Sequence, residues 1–288
     1  MSPADKFDAT LLADSFSINQ SVSGERQKTI REPVERLSVE LDFGRVSQSS
    51  GTDSTHPHVL FSPLHYEAGY AYPLIVWLHG SGNDERQVMR IMPVLSMRNY
   101  VAVAPRGIPA MEISRENPKT DKSKEEWSLD VVSILKAGRS KTVYDWLHHE
   151  EGVSEAERRV FDCISLAKQR CNIASRRVFL AGFGSGGTMA LRLALLNPES
   201  FAGVASLGGP LPTGKHVLHR WTAARNLAVF LGTGESSLAC PPESLCRSLE
   251  LFHTAGVRTA VREYPCGQEL APAMLQDVNR WMMDIVCS

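Results

Sequence analysis

Residues 176–196 have the sequence RRVFLAGFGSGGTMALRLALL, and they are the most informative segment of the chain. Val178–Ala181 is a short apolar run, which predicts a buried strand. Gly182–Gly187 follows at once and is rich in glycine, as a tight turn requires. Thr188–Leu196 then repeats apolar residues at helical spacing. The segment therefore predicts a buried strand, a close-packed turn and a helix in direct succession.

A strand, a tight turn and a helix are the setting in which a Gly-x-Ser-x-Gly motif presents a nucleophilic serine. Gly182 and Gly186 match the two outer glycines of that motif. The central position is Gly184, and Ser185 stands one place later. The sequence therefore predicts the scaffold of a serine hydrolase without the nucleophile in its usual place.

The composition is that of an ordinary globular protein. The chain has 288 residues, and 43% of them are hydrophobic. Its formal net charge is -1, so the chain as a whole has no positive field that would attract nucleic acid or anionic lipid. No signal peptide and no membrane-spanning segment is expected. The cysteines show no metal-ligand spacing, so we expect thiols in a reducing, cytoplasmic compartment, with no metal and no cofactor. The sequence does not indicate an oligomeric state.

Apolar strands and amphipathic helices alternate along most of the chain. This pattern predicts a single α/β domain over residues 32–288, in which a doubly wound, mostly parallel sheet has helices on both faces. We expect residues 1–31 to be a mobile extension because they are polar. Residues 107–152 predict an irregular insert near the pocket, with short helices over Trp127–Leu135 and Thr142–His149.

The chain resembles the phospholipase/carboxylesterase family of α/β-hydrolases, which includes acyl-protein thioesterases. The resemblance runs from about Pro73 to the C-terminus and rests on a small set of motifs, which are Leu78-His-Gly-Ser-Gly82, Ala104-Pro-Arg106, Leu180-Ala-Gly-Phe183 with Gly186-Gly187, and Glu263-Tyr-Pro265. It implies the α/β-hydrolase fold. It does not by itself carry the family's chemistry onto this chain.

The resemblance also implies where a catalytic triad would lie. The serine position falls on Gly184, the acid position on Glu235 and the histidine position on Gln268. A glycine cannot attack a carbonyl, and a glutamine amide does not accept a proton at neutral pH. Glu235 remains able to orient a histidine. Two of the three positions are thus predicted to lack the groups that hydrolysis needs.

The oxyanion hole of the fold is made by backbone N–H groups, so it does not depend on the missing side chains. Its donors are predicted to be the N–H of Ser185 and an N–H near Ser81 and Gly82. The expected ligand is a small molecule that contains a carbonyl or a carboxylate group.

Two residues offer an alternative nucleophile. Ser185 is a candidate for a displaced nucleophile, although a serine there is also suited to the first turn of the helix. Cys266 adjoins the histidine position but lacks an evident base. The histidines offer candidate replacement bases. A structural or solvent-exposed role is the simpler interpretation for His79, His148, His149 and His253. His216 and His219 lie on the loop after the strand Gly203–Leu207, from which either could reach into the pocket.

Three classes of function remain open at this point. The favoured one is a non-hydrolytic relative that binds a small ligand or a partner protein. The second is an active ester or thioester hydrolase built on Ser185. The third is an enzyme that uses the oxyanion hole without a covalent intermediate. A histidine nitrogen within hydrogen-bond reach of the Ser185 hydroxyl would favour the second class.

Overall fold

The computed structural model describes residues 46–49, 56–113, 141–213 and 220–288. These residues belong to one compact unit, Leu41–Ser288. The extension predicted over residues 1–31 and the helix predicted over Trp127–Leu135 lie outside the described residues, so both stay predictions.

Strands and helices alternate through the described residues. The strands are β1 (Val46–Ser49), β2 (His58–Phe61), β3 (Tyr72–Leu78), β4 (Val101–Pro105), β5 (Ile108–Ile113), β6 (Lys141–Asp145), β7 (Ile173–Phe183), β8 (Gly203–Leu207), β9 (Ala228–Gly234) and β10 (Arg258–Tyr264). The α-helices are α1 (Gln87–Leu95), α2 (Glu150–Arg170), α3 (Ser185–Leu196), α4 (Trp221–Ala224), α5 (Pro242–Ala255) and α6 (Pro272–Cys287).

Eight strands form the central sheet, in the order β1-β2-β4-β3-β7-β8-β9-β10. The pairs that involve β2 are antiparallel, and the pairs from β4 to β10 are parallel. The carboxyl ends of β3, β7, β8 and β9 therefore meet at one edge, which is where ligands bind in sheets of this kind. The predicted fold class, a doubly wound and mostly parallel sheet, is confirmed.

The continuous apolar run of β3 is explained by cores on both faces of the sheet. Leu74 and Leu78 pack in the core that contains α2 and α3, whereas Ile75 and Trp77 pack in the core that contains α1 and α6. Every residue of β3 is buried. A strand covered on both faces has no solvent-facing side, and so its sequence does not alternate between apolar and polar residues.

A second sheet contains two antiparallel strands, β5 and β6. In it Ile108 pairs with Asp145, and Ile113 pairs with Lys141. The helix predicted over Thr142–His149 is therefore wrong, and strands border the segment that was predicted to be irregular. The β-branched and aromatic residues of Thr142-Val-Tyr144 suit a strand, but their partner lies about thirty residues earlier, beyond any local pattern.

Candidate functional site

The turn between β7 and α3 is held by glycines that have no room for a side chain. A Cβ on Gly186 would lie 2.3 Å from the carbonyl oxygens of Leu78 and His79. A Cβ on Gly182 would lie 2.5 Å from the carbonyl oxygen of Gly186. Strand β3, strand β7 and the first turn of α3 therefore approach one another as closely as their backbones allow.

Gly184 stands at the apex of this turn in a different environment. Its φ of 54° and ψ of -124° are a conformation that residues with a side chain rarely adopt. A Cβ placed on Gly184 would meet nothing within 4 Å. Its N–H donates to the carbonyl of Leu207 (2.8 Å), which fixes the apex above the ends of β7 and β8. The apex thus has the backbone of a nucleophile turn and open space where a side chain would be.

The loop after β3, residues 79–82, is held from both sides. Two of its N–H groups are used internally, since Gly80 N donates to Gln87 Oε1 (3.2 Å) and Gly82 N donates to the carbonyl of Tyr144 (3.1 Å). The N–H groups of Ser81 and Ser185 have no acceptor among the described residues. Of the amides predicted to form an oxyanion hole, these two are the ones without an acceptor in the described part of the chain.

The hydroxyl groups of the same two serines converge on one carboxylate, that of Asp145 at the end of β6. Ser81 Oγ donates to Asp145 Oδ2 (2.7 Å), and Ser185 Oγ donates to Asp145 Oδ1. The N–H of Trp146 also donates to Oδ1 (2.7 Å). The sequence analysis missed Asp145 because the residue is 40 positions from Ser185 and 64 from Ser81, and no local motif marks it.

The carboxylate of Asp145 is only partly buried, and it forms no ion pair within the described part of the chain. Its surroundings are hydrogen-bond donors and the N-terminus of α3, whose partial positive charge favours an anion. His148 is near enough for the charges around it to act on its pKa. Burial lowers that pKa and Arg192 lowers it further, while Asp145 opposes them.

His79 is fully buried and both of its ring nitrogens are occupied. Nδ1 is 2.9 Å from the carbonyl oxygen of Gly80, and Nε2 accepts the N–H of Gly107 (2.9 Å). Burial lowers the pKa of His79, although the Gly80 hydrogen bond opposes this. The ring is therefore neutral, and it fixes the loop of Ser81 rather than serving as a base.

Gln268, at the predicted histidine position, contacts the segment Gly208–Gly209. Its Nε2 donates to the carbonyl of Gly208 (3.1 Å), and the adjacent Gly209 is packed against the carbonyl of Gly184. Its Oε1 accepts the hydroxyl of Ser237. Gln268 and the apex therefore contact the same short segment, and both functional ends of the Gln268 amide are hydrogen-bonded.

Glu235, at the predicted acid position, is exposed on the loop after β9, and its N–H donates to the carbonyl of Tyr264 (2.9 Å). Its side chain has no hydrogen bond to Gln268 among the described contacts. Ser237 occupies the place next to Gln268 instead. Glu235 as the acid thus remains a prediction.

The other candidates for a base or a metal site add little. In the ranges that the structure covers, the hydroxyl of Ser185 bonds to Asp145 and to no histidine. His253 is exposed on α5, and His216 and His219 lie outside the described residues. The described residues contain no cluster of three or more His, Cys, Asp or Glu side chains that could hold a metal ion. Those residues also contain no helix with the length and apolar character needed to cross a bilayer.

Comparison with known proteins gives a consistent match. The model of the phospholipase/carboxylesterase family matches residues 67–285. SOBER1 of Arabidopsis thaliana superimposes with a TM-score of 0.57 at 19% identity, over 75% of this chain and 100% of that one. A carboxylesterase of Bacillus cereus superimposes with a TM-score of 0.55 at 14% identity, over 81% of this chain and 96% of that one.

A sequence relative is similar over a short segment only. NocK of Nocardia uniformis subsp. tsuyamanensis is 58% identical over 36 residues, which are 12% of this chain and 10% of that protein. The chain thus spans about a tenth of the length of this relative. The structural neighbours, at identities below 20%, are evidence for the fold.

Proposed function

This chain belongs to the phospholipase/carboxylesterase family of α/β-hydrolases, and from that premise we propose that it is a member that binds a small carbonyl-containing molecule without hydrolysing it. The observation that carries the proposal is the pairing of an empty apex with an occupied serine. Gly184 has no side chain, and the hydroxyl of Ser185 is donated to Asp145.

The site lacks the proton transfer that a serine nucleophile requires. A serine hydroxyl is a weak nucleophile until a nearby base takes its proton. The position next to the apex holds the amide of Gln268, which has no useful basicity. Carboxylates in general are weaker bases than the imidazole that takes the serine proton in serine hydrolases.

Asp145 also opposes the transition state of acyl transfer. That state develops a negative charge on the carbonyl oxygen, where the N–H groups of Ser81 and Ser185 would hold it. Two like charges 4 Å apart repel by about 4 kcal/mol at an effective dielectric constant of 20. A repulsion of that size lowers a rate by about a thousandfold. A neutral carbonyl in its ground state carries no such charge and is not penalised in this way.

The hydrolytic alternative keeps one observation in its favour, which is that Ser185 has an acceptor for its proton. Hydrolysis through a Ser185–Asp145 pair would still place an oxyanion beside a carboxylate. An enzyme that uses the hole without a covalent intermediate meets the same repulsion if it forms an enolate. Binding of a neutral carbonyl is the function that the charges at this site support best.

Covalent labelling tests the absence of hydrolysis. We expect no adduct on the intact protein after incubation with a fluorophosphonate probe, as measured by intact mass spectrometry. Ser185→Ala is the matched control, because any adduct at the displaced serine disappears in it. A stoichiometric adduct that is lost in Ser185→Ala would establish the hydrolase alternative.

Binding is tested by titration with a neutral amide. Propionamide should shift the backbone amide signals of Ser81 and Ser185 in a saturable manner in nitrogen-edited NMR spectra. The N–H of Gly82, already donated to Tyr144, is an internal control and should shift less. Absence of saturable shifts at Ser81 and Ser185 would contradict the proposed function.

A further inference from the structure

We infer that Asp145 makes this site selective for a carbonyl ligand that carries an ammonium or N–H donor on the atom next to the carbonyl carbon, and that it excludes carboxylates. The inference rests on the proposed function, because it concerns the ligand of that same site. It replaces the open choice between carbonyl and carboxylate ligands with one chemical class.

Ser81 and Ser185 carry two kinds of hydrogen-bond donor, a backbone N–H and a side-chain hydroxyl. Ser81 and Ser185 each have an N–H without an acceptor in the described chain, and each has a hydroxyl that donates to Asp145. The carboxylate is therefore one side chain away from both amides. A carbonyl oxygen held by those amides lies close to a negative charge.

The carboxylate of Asp145 can accept a further hydrogen bond from a ligand. A carboxylate offers about four acceptor positions. Oδ1 receives the hydroxyl of Ser185 and the N–H of Trp146, whereas Oδ2 receives only the hydroxyl of Ser81. One acceptor position on Oδ2 is thus open among the described contacts, on a residue that is itself only partly buried.

The negative charge of the Asp145 carboxylate favours a cationic ligand over an anionic one. No described lysine or arginine pairs with Asp145, so an incoming cation gains an ion pair rather than competing with one. A charge-assisted hydrogen bond to a carboxylate is stronger than one between neutral groups. A carboxylate ligand in the same place meets repulsion instead. The site around Asp145 therefore binds ligands selectively, according to the charge of the group beside the carbonyl.

Three small primary amides test this directly. Glycinamide carries an ammonium group beside the carbonyl, propionamide carries a methyl group there, and malonamate carries a carboxylate. At pH 7 we expect glycinamide to bind at least tenfold more tightly than propionamide, and malonamate at least tenfold more weakly. Kd values come from the NMR shifts of the Ser81 and Ser185 amides.

Asp145→Asn should bring the three Kd values to within about threefold of one another. Asp162→Asn is the matched control, since it makes the same charge change on an exposed residue that pairs with Arg158 on α2, and it should leave the order unchanged. If Asp145 only ties the two loops together, its replacement will weaken all three amides equally, and the inference fails.

The unmodified protein provides a second test that does not depend on the folding of a variant. Salt screens interactions between charges. Raising the NaCl concentration should therefore bring the Kd values of glycinamide and malonamate closer together and leave the Kd of propionamide unchanged. If propionamide binds but the charge order is absent or reversed, only this inference is overturned. If none of the three amides binds at Ser81 and Ser185, the proposed function itself is contradicted.

Discussion

Gly184 and Gly186 are two residues apart in one turn, yet their surroundings are opposite. A side chain at Gly186 would collide with two backbone carbonyls at 2.3 Å, whereas one at Gly184 would meet nothing within 4 Å. Gly186 is required by the contact between β3 and α3. Gly184 is required by no contact, and its positive φ is the only feature that favours glycine there.

The difference separates the part of the turn that builds the fold from the part that would perform chemistry. The base of the turn keeps the close packing of an α/β-hydrolase. The apex keeps the backbone geometry alone. If this division is real, a side chain at the base of the turn costs folding free energy, whereas a side chain at the apex mainly changes the chemistry of the site.

Gly186→Ala should cost more than about 4 kcal/mol of folding free energy, because the contacting atoms are backbone atoms that cannot move aside. Urea unfolding followed by circular dichroism measures the loss. Gly267→Ala is the matched control, since a Cβ there meets nothing within 4 Å, and it should change the stability by less than about 1 kcal/mol. A stable Gly186→Ala protein would show that the packing at the base is not restrictive.

Gly184→Ser combined with Gln268→His should hydrolyse short p-nitrophenyl esters at least about 100-fold faster than either single variant, because nucleophile and base act as a unit. Adding Asp145→Asn should raise the rate further by removing the negative charge beside the oxyanion. A double variant that folds normally but is no faster than the single variants would mean that Gln268 is not at the histidine position.

The role of Glu235 is tested in the same background. If Glu235 orients the new histidine, Glu235→Ala in the double variant lowers the rate. Ser237→Ala is the informative counterpart, because Ser237 is the residue that contacts the side chain of Gln268. A rate that depends on Ser237 and not on Glu235 would remove Glu235 from the site.

Gly184→Ala should cost about 1–3 kcal/mol, which is the usual range for a residue with a side chain in a rarely populated backbone conformation. No steric term adds to it, because the space is open. Urea unfolding compares this variant directly with Gly186→Ala. Equal losses at the two positions would contradict the division between apex and base.

The smallest effect concerns His79 and pH. Burial places the pKa of folded His79 below its ordinary value of about 6.5, so the unfolded chain binds a proton first as the pH falls. Stability should therefore decline as the pH drops below about 6.5 and continue to decline down to the folded-state pKa. The decline should be smaller in His79→Gln, measured by urea unfolding from pH 7.5 to 5.5.

The pKa values of His56 and His148 are also lowered, with burial as the largest cause. The proteins with and without His79 should therefore both carry His56→Gln and His148→Gln. An identical pH profile with and without His79 would contradict the neutral, buried assignment of that ring.

The central sheet could be predicted from the sequence because its signals are local. A strand covered on both faces is a continuous apolar run, as at Tyr72–Leu78, and a close-packed turn is a cluster of glycines, as at Gly182–Gly187. These features need no knowledge of distant contacts. The assignments of Gly184 and Gln268 to the serine and histidine positions come from the family resemblance instead, and they stay predictions.

Asp145 could not be predicted in this way. Its segment is paired with β5, and the two serines that donate to it are 64 and 40 positions away, so nothing next to Asp145 indicates these partners. The use of the Gly82 N–H by Tyr144 has the same origin, since both contacts depend on how β6 lies against the loop after β3. Contacts between separate segments are settled by packing, which a single sequence does not display.

The bridge from Ser81 through Asp145 to Ser185 also bears on how such a chain can change over generations. On the proposed function, hydrolysis would require at least a serine at the apex and a histidine in place of Gln268, and a neutral residue in place of Asp145 would raise its rate. On the same proposal, neither of the first two substitutions alone gives activity on which selection could act, and the first carries a folding cost. If the chain binds its ligand without hydrolysing it, no single substitution leads a population of such sequences to catalysis, whereas one substitution at Asp145 would change which ligands bind.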